Sequence, residues 1–313
     1  MAASPTPTRI VRGLCVVAVA GTIAGLAASP ALGHSRSTAS VKPVVAGSRY
    51  LALGDSVVFG YRESNSIPAP KSYANAKKFV GFPEDVAANL GLKLTNAACP
   101  GETTASFLNT KAQSNGCENT FDKNASGPVP GGYRTAYPLH AKYKSSSQSQ
   151  LAFAEAYLKA HPNTRLVTLM IGANDGFICL AETSDSCINE IGTVTSTITK
   201  NATKIFKGIR DTAHYTGQLV VVSYYSTDYS QALDNLESQE VTNAVTAAGK
   251  GYHVTVADGY GQFEKAAKQA GGDTCAAQLL TALSGADAGT CGVHPSVAGQ
   301  ALLAQAVEQA IKK

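Results

Sequence analysis

Charge is scarce in this chain. Of its 313 residues only 15% are Asp, Glu, Lys or Arg, against 44% hydrophobic ones, which excludes the highly charged, weakly hydrophobic regime of disordered proteins. The formal net charge of +4 is mild, and the basic residues are scattered (Lys77-Lys78, Lys142, Lys144, Lys312-Lys313). With no basic stripe and no aromatic platform beside one, nucleic acid is excluded as a partner. C-x-x-C pairs are missing and no histidine stands at ligand spacing from the cysteines, which argues against a zinc site. No metal and no organic cofactor is expected. Internal repeats and a second domain are absent too.

Long apolar runs are almost missing. The longest, Gly13 to Ala28, is Ala/Gly-rich, is followed by Pro30, and falls short of the roughly 18 strongly apolar residues a membrane-spanning helix needs. Arg9 and Arg12 precede it, and the small residues Ser29-Pro30-Ala31-Leu32-Gly33 follow. Residues 1–33 therefore read as a signal peptide, cut after Ala31 or after Gly33. Residues 34–48 read as a linker and 49–313 as one domain, near the upper size for a single core. The expected product is a secreted monomer without a stable membrane anchor.

Seven cysteines are present, and Cys15 leaves with the leader. An even set remains, which in an exported chain suggests disulfides, although six cysteines allow 15 connectivities. The sequence-adjacent pairs, Cys99 with Cys117, Cys179 with Cys187 and Cys275 with Cys291, close short local loops and are the expected bridges. Each contributes about 2–4 kcal/mol if unstrained. Glycosylation triplets stand at Asn124 and Asn201.

Apolar β-branched runs alternate with amphipathic stretches. Residues 49–53, 93–97, 166–171, 218–223 and 252–257 predict strands buried on both faces. Residues 82–90, 148–160, 188–213, 230–250, 259–270 and 296–311 have helical periodicity. This alternation predicts a parallel sheet between helix layers, with all strand C-termini on one rim. Two long polar segments, 60–78 and 102–147, interrupt it. Such loops are functional rims, covers or solvated insertions.

Three short strings lie at the strand ends or just before the last helix: Leu53-Gly-Asp-Ser56, Ile171-Gly-Ala-Asn-Asp175 and Gly292-Val-His-Pro-Ser296. A serine hydroxyl needs a base within hydrogen-bond reach to act as a nucleophile. Ser56, opening a helix or turn after the first strand, offers both Oγ and a backbone N–H. Asn174 offers an uncharged donor to an oxyanion, and Gly101 a backbone N–H at a point of close approach. His294, on the loop into the terminal helix, is the candidate base. His140, His161, His214 and His253 read as surface or core residues, and His34 has no evident role. Taken singly, Gly-Asp-Ser reads equally as a helix cap and Asn174 or Gly101 as turn residues. Their order in one chain is what makes them a site.

Gly54-Asp55-Ser56, Gly101, Gly172-Ala-Asn174-Asp175 and His294-Pro295-Ser296 resemble the four blocks of the SGNH (GDSL-type) hydrolases, from about residue 49 to the C-terminus. Ala98-Cys99-Pro-Gly-Glu-Thr-Thr104 and the six-cysteine pattern resemble the exported bacterial esterase and lipase branch with three sequential disulfides. The resemblance implies a flavodoxin-like three-layer α/β/α sandwich with a five-stranded parallel sheet. It also implies a Ser56–His294 dyad, an oxyanion hole of Ser56 N–H, Gly101 N–H and the Asn174 amide, and small-molecule or lipid ester substrates. One position departs. The family usually has an aspartate three residues before its histidine, and here that position is Cys291. A main-chain carbonyl near Cys291, pinned by the Cys275–Cys291 bridge, is expected to orient His294, with Asp287 and Asp273 as side-chain alternatives. The expected function is an exported serine ester hydrolase. Its alternatives are a carbohydrate deacetylase and a catalytically silent secreted binding protein of the same fold.

Overall fold

The computed structural model describes residues 41–122, 124, 125, 127 and 129–313. The expected signal peptide and the first part of the linker lie outside the described residues. From Val44 the expected linker is already tied down: Val44 is buried, and its N–H donates to Lys312 O at 2.9 Å.

Five strands form one parallel sheet: β1 (Arg49–Gly54), β2 (Lys93–Asn96), β3 (Thr164–Met170), β4 (Gln218–Val222) and β5 (Val254–Ala257). Their order is β2-β1-β3-β4-β5, the flavodoxin-like winding that reverses direction between β1 and β3. Side chains alternate between two apolar clusters along each central strand. Tyr50, Ala52, Leu166, Met170, Val220 and Val222 enter one, and Leu51, Leu53, Val167, Leu169, Leu219 and Val221 the other. Period-two alternation with both faces buried is why these runs read as continuously apolar. The edge strands β2 and β5 differ from the expectation of burial on both faces, because each has a partner on one side only and is partly exposed.

Among the described residues ten α-helices lie between or after the strands. They are α1 (Ser56–Phe59), α2 (Phe82–Leu90), α3 (Thr104–Leu108), α4 (Tyr133–Ala136), α5 (Gln150–Ala160), α6 (Ala173–Glu182), α7 (Ile191–Lys207), α8 (Ala232–Ala248), α9 (Gly259–Ala267) and α10 (Val297–Ala310). Residues of α2, α9 and α10 pack into the first apolar cluster and those of α5, α7 and α8 into the second, giving the three layers. A further antiparallel pair, β6 (Leu280–Ala282) with β7 (Cys291–Pro295), precedes α10.

The three bridges are Cys99–Cys117, Cys179–Cys187 and Cys275–Cys291. Among the described residues no helix is long and apolar enough to cross a membrane. Asn201 is buried in α7, and its Nδ2 donates to Thr104 Oγ1 at 3.1 Å. A glycan there is incompatible with the folded chain.

Candidate active site

The carboxyl ends of β1 and β3 flank the point where the winding reverses, which is where open α/β sheets bind ligands. Chain leaving β1 must turn at once into α1. Asp55 caps that helix by accepting from Val57 N–H at 3.0 Å. Its other oxygen accepts from the Tyr224 hydroxyl. Burial pushes the Asp55 carboxyl up to about 6, although both hydrogen bonds favour its ionised form. Asp55 is thus a structural cap, and Ser56, the first residue of α1, is the group presented at the rim.

Ser56 Oγ lies 2.9 Å from His294 Nε2. His294 sits within β7 rather than on a loop into α10, because Leu280 and Pro295 pair across the hairpin and Thr281 Oγ1 donates to His294 O at 3.0 Å. The partner of the other ring nitrogen also differs from expectation. Glu63 Oε1 is 2.5 Å from His294 Nδ1, so a side-chain carboxylate, and not a main-chain carbonyl near Cys291, meets the ring. Asp287 instead accepts from Asn65 Nδ2 at 3.0 Å, and Asp273 from Ala276 N–H at 2.9 Å. Burial works to raise the Glu63 pKa. The hydrogen bond and charge of His294 outweigh it and hold the carboxyl below its ordinary range.

Asn174, second residue of α6, is buried. Its Oδ1 accepts from Asn115 Nδ2 and its Nδ2 donates to Glu102 O, each at 3.0 Å. One amide N–H is left for the cleft, which Asn174 lines. Gly101 is not part of that lining. It forms the turn after β2 with φ of +81°, and a Cβ there would stand 2.3 Å from Asn115 O. Its carbonyl accepts from Asn115 N–H at 2.7 Å.

Asn115 is therefore a residue the sequence did not mark, holding both Gly101 and Asn174. Gln150 is another. Its Oε1 accepts from Gly54 N–H at 2.6 Å, and its Nε2 donates to Gly54 O at 3.0 Å and to Glu102 Oε2 at 2.9 Å. Burial keeps the Glu102 carboxyl well above the ordinary range, with the nearby Glu118 charge adding to it. Cys99, Glu102 and Cys117 bring potential metal donors together, but both sulfurs are spent in the disulfide.

A cleft of about 400 Å³ opens from Ser56 and His294 between α6, α7 and α8. Phe177, Leu180, Ile191, Val194, Leu236 and Val241 make its walls apolar. The Cys179–Cys187 loop contributes Cys187 and leads into Ile188 at the rim.

A parallel α/β/α sandwich with a hydrogen-bonded serine–histidine pair at its carboxyl rim is the framework of a serine ester hydrolase. The sequence model of the GDSL-like Lipase/Acylhydrolase family matches residues 50–307. The chain belongs to that family of ester-cleaving enzymes. No curated protein matches it. Among solved structures, the lipase Lip_vut3 from a goat rumen metagenome is 15% identical with a TM-score of 0.51, covering 84% of this chain and 97% of that one. Phospholipase A1 from Streptomyces albidoflavus NA297 is 16% identical with a TM-score of 0.49, over 85% and 100%. Acetylxylan esterase Axe2 from Geobacillus stearothermophilus is 14% identical with a TM-score of 0.48, over 86% and 95%. At such identities the likeness to Lip_vut3 speaks for the fold alone.

Proposed function

We propose that the protein is an exported hydrolase of fatty acyl esters, acting through Ser56 and His294. Ser56 Oγ attacks the acyl carbonyl while its proton passes to His294 Nε2. The same proton then goes to the departing alcohol, and water repeats the sequence to release the acid. The Asn174 amide and the Ser56 N–H, both at the cleft lining, hold the oxyanion, while Gly101, outside that lining, keeps the turn that Asn115 closes against it. The observation that carries this reading is the 2.9 Å contact between Ser56 Oγ and His294 Nε2 at the head of an apolar cleft.

The cleft also favours an acyl chain over the acetyl group of a carbohydrate. Acetyl would leave most of its apolar wall against water, whereas each methylene buried contributes about 0.8 kcal/mol. Export is supported by the leader-like residues 1–33 and by three disulfides. The hydrolase domain is taken as residues 49–313 and the protein as a monomer.

Two measurements test this. With p-nitrophenyl esters, kcat/KM should rise from acetate to octanoate by roughly 10- to 1000-fold, part of what six more methylenes make available. Ser56→Ala should abolish turnover and labelling by a fluorophosphonate. A preference for acetate would favour the deacetylase, and undiminished turnover in Ser56→Ala would remove Ser56 from the chemistry.

A further inference from the structure

Position 291, where the family usually carries its acid, is locked to Cys275 in a disulfide, so no carboxylate can act from there. We infer that Glu63, on the segment after α1, is the positioning residue for His294, and that Gly292 is the position that admits it. This rests on the Ser56–His294 reading above.

Glu63 Oε1 and His294 Nδ1 are 231 positions apart in sequence and 2.5 Å apart in space. An ionised carboxylate only accepts hydrogen bonds, so Nδ1 must carry the ring proton. That tautomer leaves the Nε2 lone pair facing Ser56 Oγ. As the bond from Oγ to the acyl carbon forms, the hydroxyl proton moves to Nε2 and the ring becomes a cation beside Glu63. The Nδ1 proton stays on the ring throughout.

Gly292 accounts for the space. A Cβ built there would stand 2.6 Å from Glu63 Oε1, 2.9 Å from Cδ and 3.0 Å from Oε2. Its backbone lies outside the left-handed region, so the chain path does not require glycine; an added side-chain carbon would instead displace the Glu63 carboxylate from its place against His294. The segment bearing Glu63 is also fastened to the hairpin bearing His294. Ile67 N–H donates to Ala282 O, and Ser284 N–H donates to Asn65 O, both at 2.8 Å. The Tyr61 ring meets the His294 ring edge-on at 5.0 Å between centroids. Acid and base therefore ride on one antiparallel unit, although they come from opposite ends of the domain.

The test uses the full secreted protein, with wild type and Ser56→Ala measured alongside, so that a failure of the serine mechanism is seen separately. Glu63→Gln keeps the side-chain shape and removes the charge. It should lower kcat by up to about 10⁴ with KM within a few-fold, and abolish the far-downfield proton resonance of His294 Nδ1–H. Gly292→Ala should lower kcat by up to about 10²-fold, since a carboxylate displaced by about 1 Å misplaces the ring. Formate should restore part of the activity of Glu63→Ala by entering the space its carboxylate leaves. Should Glu63→Gln fail to fold, Gly292→Ala decides alone, and wild-type kcat in that variant overturns the inference. So does wild-type kcat, or a surviving downfield resonance, in a folded Glu63→Gln.

Discussion

Asn174, the proposed oxyanion donor, has an amide whose orientation is fixed by its neighbours. Asn115 takes its Oδ1 and the Glu102 carbonyl takes one N–H, so the amide cannot flip without losing both bonds. Asn174→Ala should lower kcat by roughly 10²–10³ and leave KM within a few-fold, because the remaining N–H is needed most when charge develops. A loss confined to KM would make Asn174 a substrate-binding residue instead. At this scale, what was legible in the sequence depended on chain position. Ser56 and Asn174 stand shortly after apolar strands, and His294 stands shortly before the apolar last helix. Glu63 was illegible for the converse reason. It stands in a polar segment with no periodicity, and its partner is brought to it only by tertiary pairing. Gly292, a glycine two residues before a histidine that lacks its usual acid, is the sole local trace of it.

Elements were legible where both faces of a strand or one stripe of a helix are buried. The central strands and α2, α5, α7, α8, α9 and α10 fall where periodicity put them. Missed were the short α3 and α4, inside the segment read as a polar loop, α6, whose first turn is the Ala173-Asn-Asp175 motif, and the β6–β7 hairpin, too short and too polar to alternate. The start of α2 carries a titration of its own. Glu84 accepts from Gly81 N–H at 2.9 Å and from Asn96 Nδ2 at 3.0 Å. Burial nevertheless raises its carboxyl from the ordinary 4.5 to about 7, the hydrogen bonds offsetting only part of that. A carboxyl whose pKa is raised on folding stabilises the fold fully below its unfolded value, and that contribution is lost as pH rises through the folded one. Between about pH 5 and pH 8 the melting temperature should therefore fall, and Glu84→Gln, which cannot ionise, should flatten the fall. Parallel melting curves for the two proteins across that range would discount Glu84 as the source.

At the scale of the whole molecule the three disulfides divide the site among them. Cys99–Cys117 encloses the turn at Gly101 and the Asn115 that braces Asn174. Cys179–Cys187 closes one wall of the apolar cleft. Cys275–Cys291 anchors the start of β7, three residues before His294. Once Glu63 holds the imidazole and strand pairing holds β7, the last bridge is no longer what aims the base; it stabilises the fold. Removing each as a double Cys→Ala variant should thus give three different signatures. Loss of Cys99–Cys117 should lower kcat for every ester, through a loosened oxyanion donor. Without Cys179–Cys187, the advantage of octanoate over acetate should shrink while acetate turnover persists. Loss of Cys275–Cys291 should cost about 3 kcal/mol, by analogy with a loop of about 15 residues. That would lower the melting temperature by roughly 6–12 °C for a domain of this size, with kcat at 25 °C staying within about tenfold because the Glu63 contact is intact. A collapse of kcat in that variant, with the hairpin still folded, would return the aiming of His294 to the backbone around Cys291.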